Sequence, residues 1–486
     1  MTETIGLTSN VTAGHQPPLT KFMFNLLARQ SAIQFASRIV SLALGLGIVA
    51  LMTRSLGPAA FGEYTTVVAF LQFILLFTGF GLGMTVAHEL GSKQLPAAEV
   101  LGNALSLRAI SSGIAFALAP LVARWLGYPP AIVQGITLAA VAFWAASIGN
   151  MLTSVYQAQL QSATLAWLDI MSRLLLAVGA FVVAIGGMAN PMNFLMVLIF
   201  ANVITTALNL MAAKRLITFH WRIDRAIWLM LLRTTWPVAV TTTLNVIYFK
   251  ADTVILSLFQ PSTEVGQYGT AYAILEALLT LPAVIGGLLL PLVSSAHARG
   301  DRATVVQLFR GGFDTLLAIG LAITTGAVLI GQQLVTALAG GNFGPAGRIL
   351  TILTLALLCS FVGNAAAYTV FSIGEQRRLI KIFGMGAVLG LMAYLITIPR
   401  YSYWGAAWST VGIEALVNIG IIAVLWRLGI TPHYERLPKI AAITLALALG
   451  LALPLPLIGK LIVGSVLWFG TAWLLKLVPR VAEPTY

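Results

Sequence analysis

Gly62-Glu-Tyr-Thr-Thr-Val-Val-Ala-Phe-Leu-Gln-Phe-Ile-Leu75 and Gly266-Gln-Tyr-Gly-Thr-Ala-Tyr-Ala-Ile-Leu-Glu-Ala-Leu-Leu279 agree at six of fourteen positions, at an offset of 204 residues. Two windows rich in leucine and alanine share a few residues by chance. Gly62 with Gly266 and Tyr64 with Tyr268 are harder to obtain that way, because each window follows a proline, Pro58 or Pro261, at what reads as the same hairpin turn. The chain is therefore read as an internal duplication. Both windows open the second span of a set of six, and an even number of spans returns the chain to its starting side. The two halves then run in the same direction, related by an axis along the membrane normal, an architecture that recurs in alternating-access carriers.

The rest of the composition requires a membrane. Of 486 residues, 59% are hydrophobic and 9% are charged, with a mean hydropathy of +0.92, whereas a soluble domain carries about 25% charged residues. One cysteine, Cys359, can form neither an internal disulfide nor a multi-thiolate metal site, and five scattered histidines point the same way, so zinc and iron–sulfur chemistry are not expected. The net charge of +13 is read as the Lys and Arg excess of cytoplasmic loops rather than as a nucleic-acid footprint.

A crossing needs about 20 mostly apolar residues. Fourteen are read, over 25–53, 64–87, 100–123, 131–155, 165–186, 192–213, 235–258, 267–293, 311–337, 347–372, 378–399, 404–426, 437–457 and 460–478. With the N-terminus inside, eighteen Lys and Arg fall in inner loops and tails, against five outside: Arg54, Arg124, Arg348, Arg400 and Lys460. That asymmetry places both termini in the cytoplasm. The polar first twenty residues lack the basic start and apolar core of a signal peptide. The expected organisation is a cytoplasmic tail (1–24), a first bundle (25–213), a cytoplasmic amphipathic linker (214–234), a second bundle (235–428), and two further spans with a cytoplasmic tail (429–486). In the linker, Trp221, Ile227, Trp228 and Leu231 beside Arg222, Arg225 and Arg233 suit a helix lying on the inner leaflet.

Several short motifs carry a resemblance. Arg54-Ser-Leu-Gly-Pro58 followed by Phe61-Gly62-Glu63-Tyr64 resembles the first-hairpin signature of polysaccharide-biosynthesis flippases in the MOP superfamily of multidrug, oligosaccharidyl-lipid and polysaccharide exporters. Trp236-Pro237, Lys250-Ala-Asp252, Val265-Gly266-Gln267-Tyr268 with Ala271-Tyr272, Pro282 and Pro291 resemble the family's seventh and eighth helices, and Gly405-Ala406-Ala407 fits the start of helix twelve. The resemblance runs from about residue 24 to the end. It implies a MATE-like fold and a carrier without ATPase activity of its own, which moves an undecaprenyl-pyrophosphate-linked sugar unit, such as an O-antigen unit, from the cytoplasmic to the periplasmic leaflet.

An ionisable group at mid-bilayer costs about 2.5–3.5 kcal/mol by insertion measurements, so each one needs a partner or a water-filled cavity. Gln30, Gln34, Arg38 and Ser41 are spaced to share one face of the first span. Arg38 either pairs with a carboxylate such as Asp252 or Glu276, or lines a cavity as a bidentate donor to pyrophosphate. Thr241, Asn245, Tyr248 and Asp252 share a face of the seventh span, from which Lys250 points about 160° away from Asp252, at 100° per residue. Asp252 is either a buried counter-ion or part of an ion-coupling site. Tyr268, Tyr272 and Glu276 share a face of the eighth span, and Glu276 stands where the other half has Gln72. That asymmetry suits a proton or sodium site, because burial disfavours the charged form of a carboxylate. Glu414, ten residues into the twelfth span, is the second candidate. Arg108 and Arg173 are expected to snorkel, Arg173 also pairing with Asp169 one turn earlier, and Asp314 is read as helix-end electrostatics. Arg54 is read equally as an exit-side phosphate contact and as an interfacial anchor.

No Gly-x-x-x-x-Gly-Lys-Ser/Thr loop, Gly-x-Ser-x-Gly elbow or His-Glu-x-x-His helix occurs, and the outer loops are short. The chain is thus expected to be an all-α polytopic protein of the bacterial inner membrane. Two parallel six-helix bundles plus two C-terminal helices would form a cofactor-free carrier and not an enzyme. The expected substrate site is Arg38, Lys250, Arg54, Gln34, Asn245 and Tyr272, and the ion-coupling set is Glu276, Asp252 and Glu414. Expected partners are the lipid-linked oligosaccharide, membrane lipids, H+ or Na+, and a polysaccharide polymerase or chain-length regulator, with no nucleic acid. Rival readings are a flippase for the peptidoglycan precursor, a multidrug exporter of the same superfamily, and a membrane enzyme of polysaccharide assembly.

Overall fold

The computed structural model describes the backbone of residues 19–79, 81–92, 96–159 and 161–475, and most side chains from residue 36 onward, those of 240–249 excepted. The described residues form thirteen helices and no strand: α1 (Leu19–Gly79), α2 (Leu82–Ser92), α3 (Ala97–Trp125), α4 (Pro130–Ala158), α5 (Ser162–Ile185), α6 (Pro191–Leu216), α7 (Arg225–Phe259), α8 (Ser262–Ala298), α9 (Arg302–Ala339), α10 (Gly344–Ser372), α11 (Gln376–Arg427), α12 (Leu437–Ala452) and α13 (Leu457–Leu474). Ten helical stretches are long and apolar enough to cross a membrane.

Two of these helices each hold two crossings. α1 breaks at Gly57, whose φ of +72° suits a residue without a Cβ, and Pro58 next to it has no N–H to continue the ladder. α11 breaks at Ser402 (φ +52°). With those divisions, α7 and the sixteen-residue α12 complete fourteen spans, close to the positions read from hydropathy. Helix starts follow local chemistry. Asn190 accepts from Asn193 N at 2.8 Å ahead of α6, and Asp224 accepts from Ala226 N at 2.8 Å ahead of α7. Proline fills the first turn of α4, α6, α10 and α12, where its missing donor costs nothing.

The first half, α1 to α6, packs around two separate cores. One joins α3, α4 and the second arm of α1 around Phe70, Phe116 and Ile136; the other joins α3, α4 and α2 around Leu101, Leu152 and Tyr156. The second half, α7 to α11, shares one larger core around Tyr268, Phe309, Phe361 and Tyr394. The halves meet where the second arm of α1 crosses α8. A Cβ on Gly62 would lie 1.7 Å from the Ser262 carbonyl oxygen, and one on Gly266 would lie 2.0 Å from the Pro58 carbonyl oxygen. Pro58 and Ser262 stand at the same offset as Gly62 and Gly266, so the contact is reciprocal: equivalent residues of the two repeats meet across the repeat axis.

The segment between the halves differs from the expected helix on the inner leaflet. Residues 217–224 are not helical but form a strap across the start of α3. The His220 carbonyl sits over Gly102, 2.1 Å from where a Cβ would be. Asn103 Oδ1 accepts from Asp224 N at 2.7 Å, and Arg222 pairs with Glu99 at 3.1 Å. Asp224 then caps α7, which runs through Trp228 and a fully buried Leu231. The Asn103 contact satisfies the Asp224 amide, and the Arg222–Glu99 pair ties the strap to α3. At the other end, α12 packs on α9 and α13 on α12. Asp314 is not at a helix end: α9 starts at Arg302, and the buried Asp314 carboxylate receives Arg436 Nη1 at 3.3 Å, tethering α12. Arg310 Nε donates to Thr431 O at 2.9 Å beside it.

Candidate functional site

The seam between the halves holds a cluster built by α7, α8 and the second arm of α1. Lys250 of α7 donates to Gln72 Oε1 of the first half at 3.1 Å and pairs closely with Glu276 of α8. Its ammonium lies 5.3 Å from the Tyr272 ring centroid, close enough for cation–π attraction. Gln72 and Glu276 are the repeat-equivalent positions. The lysine has no such symmetry, since its equivalent in the first half is Leu46. One cation thus ties the amide of one half to the acid of the other. Glu276 keeps 40% of its side chain exposed and Lys250 22%, so the pair borders open space rather than core.

Asp252 is different in kind. It is 1% exposed and accepts from the Tyr268 hydroxyl at 2.5 Å, the Thr253 amide at 2.6 Å and the Thr253 hydroxyl at 3.2 Å. Hydroxyls and backbone, not a cation on another helix, satisfy it, and it does not pair with Lys250. Tyr268 stacks on Tyr272 with centroids 5.7 Å apart, so the satisfied acid and the Lys250–Glu276 pair sit on opposite ends of one aromatic stack. Glu414, on the second arm of α11, is 2% exposed. Its Oε2 accepts from Ser360 Oγ of α10 at 2.6 Å and from Asn418 Nδ2 at 2.9 Å.

Arg38 is exposed on the first arm of α1 and pairs with neither Asp252 nor Glu276 among the described residues. Ser41, which spacing put on the same face, donates to Asp169 Oδ2 of α5 at 2.6 Å. Asp169 makes no ion pair with Arg173, so the expected one-turn pair is replaced by a contact between helices. Arg54 sits away from the cluster: its Nε donates to Leu338 O at 2.9 Å and its Nη2 to Ala337 O, capping the end of α9. The side chains of Gln34 and Asn245 lie outside the described residues. Arg108 does not snorkel. It is 7% exposed, its Nε reaches Ser147 O at 3.4 Å, and its Nη1 and the Ser147 hydroxyl are both unpartnered. Gln72 entered the sequence reading only as the counterpart of Glu276. The repeat alignment was the signal that could have paired both with one cation.

Comparison with known proteins places this geometry. A family profile described as polysaccharide biosynthesis protein matches residues 27–297. No curated protein matches the chain in sequence. Among solved structures, the lipid II flippase MurJ in an inward closed conformation superposes with a TM-score of 0.76 at 14% identity, over 92% of this chain and 98% of that one. An inward-facing multidrug resistance MATE transporter of the MOP superfamily gives 0.60 at 15% identity, over 82% and 98%. A MOP-superfamily transporter from Pyrococcus furiosus, described as having a binding pocket of reverse polarity, gives 0.57 at 14%, over 83% and 95%. At these identities the likeness is one of fold.

Proposed function

The chain belongs to the polysaccharide biosynthesis protein family, and from that premise we propose that it is a MOP-type flippase. It moves undecaprenyl-pyrophosphate-linked oligosaccharide units from the cytoplasmic to the periplasmic leaflet of the inner membrane, for surface polysaccharide assembly. The observation that carries the reading is Lys250 held between Gln72 of one half and Glu276 of the other. A partly open ion pair in a membrane seam is expensive to build, and because its lysine also donates to Gln72 of the other bundle, the cluster reports the relative position of the two halves. Protonation of Glu276 removes the anion holding the ammonium and frees Lys250 for a pyrophosphate oxygen. Arg38, exposed and without an ion pair among the described residues, supplies a second cation from the first half. Loss of the Gln72 contact then lets the bundles rock, and the cation gradient resets the carboxylate.

The test is flipping of a labelled lipid-linked oligosaccharide in proteoliposomes, with and without an imposed pH or sodium gradient. Glu276→Gln makes the repeat positions alike and keeps shape, so protein level should hold while gradient stimulation is lost. Equal stimulation of wild type and mutant overturns the coupling role and turns attention to Asp252 and Glu414. A second reading is favoured by the closer superposition on MurJ than on the MATE transporter: a peptidoglycan-precursor substrate. Running the assay with lipid II as well as an oligosaccharide-linked carrier separates the two. A multidrug role fits less well, because cationic drugs gain nothing from a seam held by a lysine.

A further inference from the structure

A cavity of about 1130 Å³ is lined by none of the residues of the Lys250 cluster. It lies at the end of the bundle that carries the α3–α4, α5–α6 and α7–α8 turns, between the last turns of α9, the first turns of α10, Trp404 and the α12–α13 turn. Its walls are divided by chemistry. Val328, Leu329 and Leu455 are exposed apolar surface, whereas Gln332, Gln333 and Arg348 supply polar atoms. Arg348 is exposed and makes no hydrogen bond or ion pair among the described residues. The apolar contact joining the C-terminal hairpin to α9 is small, a cluster of Ile330, Leu447 and Leu451, so the cavity is the unfilled part of that joint.

We propose that this cavity is a binding site for one bilayer phospholipid with an anionic phosphodiester head, which completes the packing of the α12–α13 hairpin against the second bundle. Three observations carry it. The cavity wall continues into exposed apolar surface on α9 and the C-terminal hairpin (Val328, Leu329 and Ile458), which in a bilayer meets acyl chains. The division between apolar wall and polar rim matches a tail and a head. The charge is also selective: one guanidinium offers a bidentate site for one singly charged phosphodiester, whereas a pyrophosphate would leave further charge unmatched. Arg54 approaches this rim in space through Ala337, but its Nε and Nη2 already donate to the Leu338 and Ala337 carbonyls. The site stands whether or not the chain flips a lipid-linked sugar.

The experiment uses the full chain as wild type, Arg348→Gln, Arg348→Lys and Gln333→Trp. Each is purified, delipidated and titrated with phosphatidylglycerol, and native mass spectrometry counts the lipids retained. Wild type should hold one lipid more tightly than the rest of its annulus. Arg348→Gln should weaken that lipid about ten-fold, the loss of one charge-assisted contact. Arg348→Lys should keep part of it as a point charge, and Gln333→Trp should exclude it by filling the cavity with the charge intact. Thermal stability without lipid checks that the variants fold, and Gln333→Trp carries the test alone if Arg348→Gln does not. Equal retention by wild type and Gln333→Trp overturns the site, as does a retained polyprenyl-pyrophosphate that phosphatidylglycerol cannot displace.

Discussion

At the scale of single residues, charge is placed by partners that spacing cannot specify. Arg108 lies eleven residues into α3, about 16 Å along the axis at 1.5 Å per residue, and α4 closes over it. A buried guanidinium with an unpartnered Nη1 is costly, and replacing buried charge by apolar volume is often neutral or stabilising, by about 1–4 kcal/mol. Arg108→Met is therefore expected to raise the melting temperature of the purified protein; a fall of several degrees would show the charge to be compensated. Asp252, by contrast, is satisfied three times over. The sequence reading has Arg108 snorkelling and Asp252 as a counter-ion or coupling group, and only the neighbours show that one is buried and strained and the other buried and satisfied.

At the scale of helices, backbone approach and caps decide stability. Gly62 and Gly266 allow the second arm of α1 and α8 to touch backbone to backbone. Gly62→Ala forces a Cβ into the Ser262 carbonyl and should cost about 1–3 kcal/mol, read as a lower thermal midpoint and less folded protein in the membrane. Gly287→Ala is the control: on the same α8 it meets nothing within 4 Å and should stabilise by about 0.5–1 kcal/mol. Asp301 caps α9 through the Thr304 amide at 3.0 Å and hydroxyl at 2.6 Å, and these bonds hold its carboxyl below its ordinary value of 3.8. A depressed carboxylate contributes stability above its unfolded pKa and loses it as pH falls through the folded one. The stability gap between wild type and Asp301→Ala should thus stay constant from pH 8 to about pH 5 and close in more acid solution.

For the whole molecule, the fourteen spans fix which loops share a side. A reporter fused after Arg225 should read cytoplasmic and one inserted near Ser262 periplasmic, as the Lys and Arg asymmetry requires; both reading the same side would break the map. The span count and the parallel halves were legible because hydropathy and an even repeat are local, countable properties. The strap over α3 was not, since its backbone is satisfied by Asn103, a partner more than a hundred residues away.

The sequence by itself determined that this is a polytopic helical protein of two parallel halves, because burying backbone polar groups in hydrocarbon leaves helices as the solution for so apolar a chain and the Gly62/Gly266 repeat sets their relation. Tertiary structure alone decided which charges meet. Helical spacing correctly put Lys250 and Asp252 on different faces, but it could not say that Lys250 would reach across to Gln72, that Arg54 would cap α9, or that Arg38 would pair with neither Asp252 nor Glu276. Those contacts depend on which helix packs beside which, and packing is set by the shapes of distant surfaces rather than by any period within one segment.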